Sequence, residues 1–219
     1  MVTKDKIKDY KKFENFNFIG ENSIILDFGA NIGDVTQYLY NKFNSNIYCY
    51  EPNISCFNYL KDRFAGNKKI IVYNLGVSNF TGSANLYFHK NAKGTNDINY
   101  FEGASYRIEK DNLDLKKRIT TKVIDIKEVL NNFTKIDLIK IDIEGSEYLI
   151  MPEIIKNLNK IKKVVCETHG NPKKLKYFKD ENNQIELRSK NKKFSDEYNK
   201  LISELKYKKL YNSWFIEWH

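Results

Sequence analysis

The sequence predicts an α/β fold of the doubly wound kind, and three observations carry the prediction. Residues 24–34, IILDFGANIGD, pass from an apolar run through Asp27 into Gly29 and Gly33, four residues apart. Further short apolar runs recur at 46–50, 69–73, 136–141 and 161–167. Stretches of helical spacing lie between them, and apolar strands alternating with helices read as βαβ units around a mostly parallel sheet with helices on both faces.

The chain's 219 residues suffice for one sizeable core, so a single domain over 1–219 is expected. Hydrophobic content of 41%, with 15 Tyr and 14 Phe, is that of a globular protein and excludes a disordered one. No apolar run is long enough for a membrane span. The N-terminus is charged and lacks the apolar stretch of a signal peptide, so the expectation is a cytoplasmic protein. Cys49, Cys56 and Cys166 are odd in number and have no metal-ligand spacing, which suits free thiols in a reducing compartment. The net charge of +9 raises the question of nucleic acid. However, 33 basic residues are Lys and only 4 are Arg, and the side chain best suited to phosphates and bases is nearly absent. A solvated basic surface is the simpler reading.

Taken in order, residues 1–19 are expected to hold a leading helix, with Ile7, Tyr10 and Phe13 at helical spacing. Residues 24–28 form the first strand, and Asp27 falls at its carboxyl end. Gly29 and Gly33 let the chain turn and bring backbone close to a ligand. A helix follows over about 32–43. The same residues would also serve an ordinary tight strand-to-helix turn. Residues 46–50 are a second strand ending at Glu51, 22 residues after Gly29. A carboxylate there is placed to accept hydrogen bonds from both ribose hydroxyls of a nucleotide.

A helix carrying Ile54, Phe57, Leu60 and Phe64 leads to strand 69–73 and Asn74, which would lie beside a bound adenine or simply form a turn. Residues 83–89 alternate and read as an extra strand paired with what precedes it. Residues 90–118 have no clear period and are expected to be a substrate-side loop. An extended stretch at 120–125 and a short helix at 126–133 follow. Residues 136–147, IDLIKIDIEGSE, form a strand whose end carries Lys140, Asp142, Glu144 and Glu147 around Gly145. Acids and a lysine clustered where a strand stops mark the ligand crevice of a parallel sheet.

After helix 148–158, with Pro152 near a first turn or a break, strand 161–167 ends in Glu167 and His169. His169 beside the acidic cluster is a candidate catalytic or binding group. Residues 171–194 are expected to be a second substrate-side loop. A helix around 198–205 and two closing antiparallel strands around Asn212 and Ser213 complete the chain.

The pieces DFGANIGD (27–34), YEPN (50–53), NLGVS (74–78), IDLIKIDIEGSE (136–147) and ETH (167–169) resemble, in order, the FkbM-type methyltransferases, a branch of the class I S-adenosylmethionine-dependent enzymes. The resemblance covers about residues 20–170. It implies a Rossmann-like, seven-stranded, mostly parallel sheet with a reversed last strand, S-adenosylmethionine as cofactor, and O-methyl transfer onto sugar hydroxyls of glycans or small molecules. Carried over by position, Asp27, Gly29, Asn31 and Gly33 would line the methionine end. Glu51 would hold the ribose, and Asn74 would lie near the adenine. Lys140, Asp142, Glu144, Glu167 and His169 would form the catalytic side, with His169 or Asp142 as base. The alternative of a divalent metal on Asp142, Glu144, Glu167 and His169 is not demanded by any spacing.

Other readings are a nucleic-acid (RNA) methyltransferase, a nicotinamide dehydrogenase and a non-catalytic binding protein on the same fold. The loop lacks the middle glycine of G-x-G-x-x-G, which argues against the dehydrogenase.

Overall fold

The computed structural model describes residues 10, 13–97, 101–106 and 110–169, together with four short strands beyond them. The elements in chain order are β1 (Ile24–Phe28), α1 (Asp34–Phe43), β2 (Asn46–Tyr50), α2 (Ile54–Arg63), β3 (Ile70–Tyr73), β4 (Gly76–Ser78), β5 (Gly82–His89) and β6 (Leu113–Asp125). They continue with α3 (Ile126–Asn131), β7 (Leu138–Ile141), α4 (Glu147–Lys156), β8 (Val164–Thr168), β9 (Tyr177–Lys179), β10 (Ile185–Leu187), β11 (Tyr207–Leu210) and β12 (Ser213–Glu217).

A seven-stranded sheet runs in the order β11-β12-β8-β7-β1-β2-β3. β1 pairs in parallel with β2 and β7, and β2 with β3 and β7 with β8 likewise. β12, the last strand in the chain, is antiparallel to both β8 and β11. This is the doubly wound, Rossmann-like α/β architecture with the reversed last strand. The chain leaves β1 toward β2 on one side and meets β7 on the other, so the strand order reverses at β1, where such sheets open a crevice.

Alternation along the strands divides the core. Leu26 and Phe28 join Ile139, Ile141 and the buried faces of α3 and α4 on one side. Ile25, Ile47, Cys49 and Leu138 join Leu39 of α1 and Leu60 of α2 on the other. Each such side chain contributes about 2 kcal/mol by leaving water. Local signals start the helices: the Asn53 side chain accepts from the Ser55 N–H at 3.0 Å, and Asp125 from the Lys127 N–H at 2.9 Å. All three cysteines are free and buried. Among the described residues no helix is long and apolar enough to cross a membrane.

Several expectations are corrected. Tyr10 is helical and Phe13 lies in a 3-10 turn, while residues 14–19 are turns that bring Phe16 and Ile19 into the core. The rest of the 1–19 expectation lies outside the described residues, apart from Tyr10, which stacks on Tyr38. β5 pairs with the later β6, across the intervening residues 90–112, and β4 adds in parallel to β6's other side. Of the expected loop 90–118, only residues 113–118 belong to β6. Pro152 sits inside α4 without ending it. Of 171–194 the structure describes β9 and β10, an antiparallel pair. The helix expected at 198–205 lies outside the described residues.

Candidate active site

The crevice opens at the carboxyl ends of β1, β2 and β7. β1 hands over to Gly29, whose φ of +76° is in the left-handed region. A Cβ at Gly29 would fall on the backbone carbonyl of Asp142. The two segments lie that close because the Asp142 N–H continues the ladder to the Phe28 carbonyl at 3.0 Å. Only glycine permits this approach. Asn31, with φ of +50°, then turns its backbone N–H toward β2.

There Glu51 is clamped. Its Oε2 accepts the Asn31 N–H and its Oε1 the Asn53 N–H, both at 2.8 Å. It is 6% exposed. Burial pushes its carboxyl up to about 7, although both N–H bonds and the Lys140 charge pull the other way. Each oxygen retains acceptor capacity. The space in front is a cavity of about 670 Å³, open mouth included. Gly29, Asn31, Glu51, Val77, Phe101 and Tyr106 are among its walls.

A second cavity of about 840 Å³ continues past Gly29 and Asn31 to Asp142, Glu144, Glu167 and His169. The crevice thus has two halves sharing one wall. In the second half the His169 ring sits among carboxylates. Its Nε2 lies 3.5 Å from Glu144 Oε2 and 3.9 Å from both Asp142 Oδ1 and Glu167 Oε1. Its Nδ1 is 3.2 Å from Glu147 Oε1. Burial alone would draw its proton off; the hydrogen bond and charge of Glu147, with the charges of Glu144 and Asp142, outweigh that and push His169 up to about 9. Asp142, Glu144 and His169 bring ligand atoms within 4.8 Å of one another. Lys110 already pairs with Glu144, and the His169 Nδ1 is engaged by a further carboxylate, Glu147.

Three sequence-assigned residues, Asp27, Gly33 and Asn74, hold other positions, and Lys140 lines the second half from its floor. Asp27 is fully buried beneath the crevice rather than lining it: it accepts from Thr36 Oγ1 at 2.7 Å and pairs with Lys140 Nζ at 3.1 Å. Lys140 faces Asp27 directly in the β1–β7 register, donates to the Gly29 carbonyl at 2.7 Å, and is 3.9 Å from Asp142 Oδ2. Burial lowers its proton affinity, yet the Asp27 and Asp142 charges raise it further, so it stays an ammonium. Gly33 is a packing glycine, with a left-handed φ of +86°, where a Cβ would strike Leu60 and Phe64 of α2. Asn74 donates its amide to the Glu51 and Pro52 carbonyls at 3.0 and 3.1 Å, which fixes the β2 end from behind.

Phe101, Tyr106, Lys110 and Glu147 were not assigned roles from sequence. Residues 101–106 and Lys110 form a strap along the crevice. Ser105 Oγ donates to the Glu144 carbonyl at 2.6 Å, and Tyr106 bonds Thr121 Oγ1 at 2.7 Å. A signal for Tyr106 did exist: Gly76 within NLGVS marks a close approach, and a Cβ there would meet the Tyr106 hydroxyl.

The family model described as the methyltransferase FkbM domain matches residues 27–208. No curated protein matches the chain. Among solved structures, the chain is similar to the fibrillarin pre-rRNA processing protein of Methanococcus jannaschii, at 14% identity over 90% of this chain and 66% of that one, with a TM-score of 0.46. It is similar to the precorrin-6y C5,15-methyltransferase of Geobacter metallireducens, at 9% identity over 99% and 88%, TM-score 0.47. It is also similar to M. capricolum TrmK in complex with S-adenosyl-homocysteine, at 10% identity over 95% and 66%, TM-score 0.40. The chain spans about two thirds of the fibrillarin and TrmK chains, and at these identities the likenesses assign no substrate.

Proposed function

The chain belongs to the methyltransferase FkbM family, and from that premise we propose that residues 1–219 act as one domain that transfers a methyl group from S-adenosyl-L-methionine to a hydroxyl of a glycan, a sugar or a sugar-containing small molecule. The observation that carries the reading is the two-part crevice. A clamped carboxylate, Glu51, stands in one half and a carboxylate-ringed imidazole, His169, in the other, with Gly29 and Asn31 lining both.

The residues present suit the donor. Glu51 offers two acceptor oxygens where ribose hydroxyls would lie, and Gly29 leaves the backbone bare beside it. The donor supplies an electrophilic methyl on a sulfonium. Everything else is alignment and proton handling by the chain. Asp142 and Glu144 would orient the acceptor. As the O–C bond forms and the S–C bond breaks, the hydroxyl proton would pass to His169 Nε2. The three buried thiols suit the reducing cytoplasm.

Calorimetry tests the donor half. Glu51→Ala is expected to weaken S-adenosylmethionine binding by about 3 kcal/mol, on the order of 100-fold, through loss of two charge-assisted bonds. Absence of binding in the unaltered protein would sink the reading. A labelled-methyl assay against sugars, glycans and RNA tests the acceptor. The +9 net charge keeps RNA as the second reading. Against it, three carboxylates within 3.9 Å of His169 Nε2 disfavour a phosphodiester beside the reacting atom. RNA binding that falls steeply with salt, with methyl transfer to match, would favour it instead.

A further inference from the structure

We propose that Glu147 is a positioning residue for His169: it holds the ring's Nδ1–H inward, turns Nε2 to the crevice, and so decides which nitrogen meets the acceptor hydroxyl. This rests on His169 being the group that takes the acceptor proton.

Glu147 is the first residue of α4 and is fully buried. Both of its oxygens are engaged. Oε2 accepts the Gly145 N–H at 2.7 Å. Oε1 accepts the His169 backbone N–H at 2.5 Å and lies 3.2 Å from the ring Nδ1. A carboxylate bonded on both sides cannot rotate away. An ionised carboxylate only accepts, so Nδ1 must carry a hydrogen. In the neutral ring this leaves Nε2 as the basic nitrogen. Nε2 points to the gap between Asp142, Glu144 and Glu167, each farther than a good hydrogen bond. An acceptor hydroxyl fits that gap in chemistry and in distance.

The charged groups around the ring come from every neighbouring element. Asp142 and Glu144 follow β7, Glu147 begins α4, and Glu167 ends β8. Lys110 of the strap pairs with Glu144, and Lys140 approaches Asp142 from below. Carboxylates dominate at the ring itself, so the imidazole keeps its proton to about pH 9. The sign follows. The ring is charged and unable to accept below that pH, and it becomes a base as the pH rises through it.

The chain has only three histidines, His89, His169 and His219, so nitrogen NMR of ¹⁵N-histidine-labelled protein can read each ring, with His169→Gln assigning the signal. The expected result is a ring that titrates near 9 and loses its proton to give the Nδ1–H tautomer. In Glu147→Gln, with donor binding retained by calorimetry as a check on folding, the titration should fall by about one unit or more through loss of the adjacent charge. An unchanged titration in that variant would overturn the proposal. So would an Nε2–H tautomer in the unaltered protein, a result that needs no variant to fold. The titration requires no acceptor. Failure of methyl transfer with the Nδ1–H tautomer present would therefore indict the function and leave the Glu147–His169 arrangement standing.

Discussion

The two halves of the crevice are built on opposite plans. The grip on Glu51 in the donor half is local, although Glu102, Asp142 and Glu144 also line that half. One carboxylate, held by two backbone N–H groups within two short loops, faces walls that include Val77, Leu86 and Phe101. The reaction half is assembled from four distant segments, and its side chains are held by one another's charges. Backbone clamps tolerate changes nearby and fix one geometry. A charge network couples its members, so a change in one alters the proton affinity and aim of the rest. The plan suits the work: one half need only bind, and the other must move a proton.

Breaking the reaction half should therefore be the costlier experiment. His169→Gln is expected to lower kcat by about 10²- to 10⁴-fold, the usual worth of a positioned base. Donor affinity in calorimetry should be unchanged, and a parallel loss of donor binding would show that the halves are not separable.

A smaller effect should appear in the donor half when pH is varied. Glu51, held up to about 7, is mostly protonated at pH 6 and mostly ionised at pH 8. Ribose hydroxyls need the anion. Donor affinity should thus rise with pH, by about tenfold between pH 6 and 8. In the unliganded protein the same burial acts in the opposite sense: folding stability falls as pH rises from the ordinary carboxylate range toward 7. A donor affinity flat over that window would place the ribose elsewhere.

The smallest effect should come from the strap that joins the halves. Lys110→Met removes the half-buried partner of Glu144, worth about 1 kcal/mol, or about fivefold. The change is expected in the donor's off-rate and in kcat together, because residues 101–106 wall one half while Ser105 and Lys110 tie to Glu144 in the other. A change in kcat alone would confine Lys110 to the reaction side.

Legibility in the sequence followed the same division. β1, its loop and Glu51 lie within 28 residues and obey spacing rules, so the strand, the turn and the carboxylate could be read directly. Asp27 and Lys140 were drawn toward the ligand because a charge at a strand end normally means a site. Only the register of β1 against β7 reveals that they face each other, with Asp27 wholly beneath the crevice and Lys140 at its floor. Gly33 fits a ligand loop and a tight helix–helix contact equally well in one dimension, and α2 decides between them. The side sheet of β4, β6 and β5 was missed because β6, rich in Lys and half exposed, finds its partner β5 across a long irregular stretch. Glu147 was visible as an acid beyond Gly145. Its contact with His169, 22 residues on, belongs to tertiary structure.

The ammonium of Lys140 bonds the Gly29 carbonyl across 111 residues of sequence. Contacts of such separation form only after a long loop has closed, and they place the crevice among the last parts of the molecule to assemble. A chain still emerging from synthesis can fold β1, α1 and β2 early, but it has no floor under Gly29 until residue 140 has been delivered and docked between β1 and β8. Donor binding then reports more than affinity. It marks the moment when the two central strands, β1 and β7, have found each other.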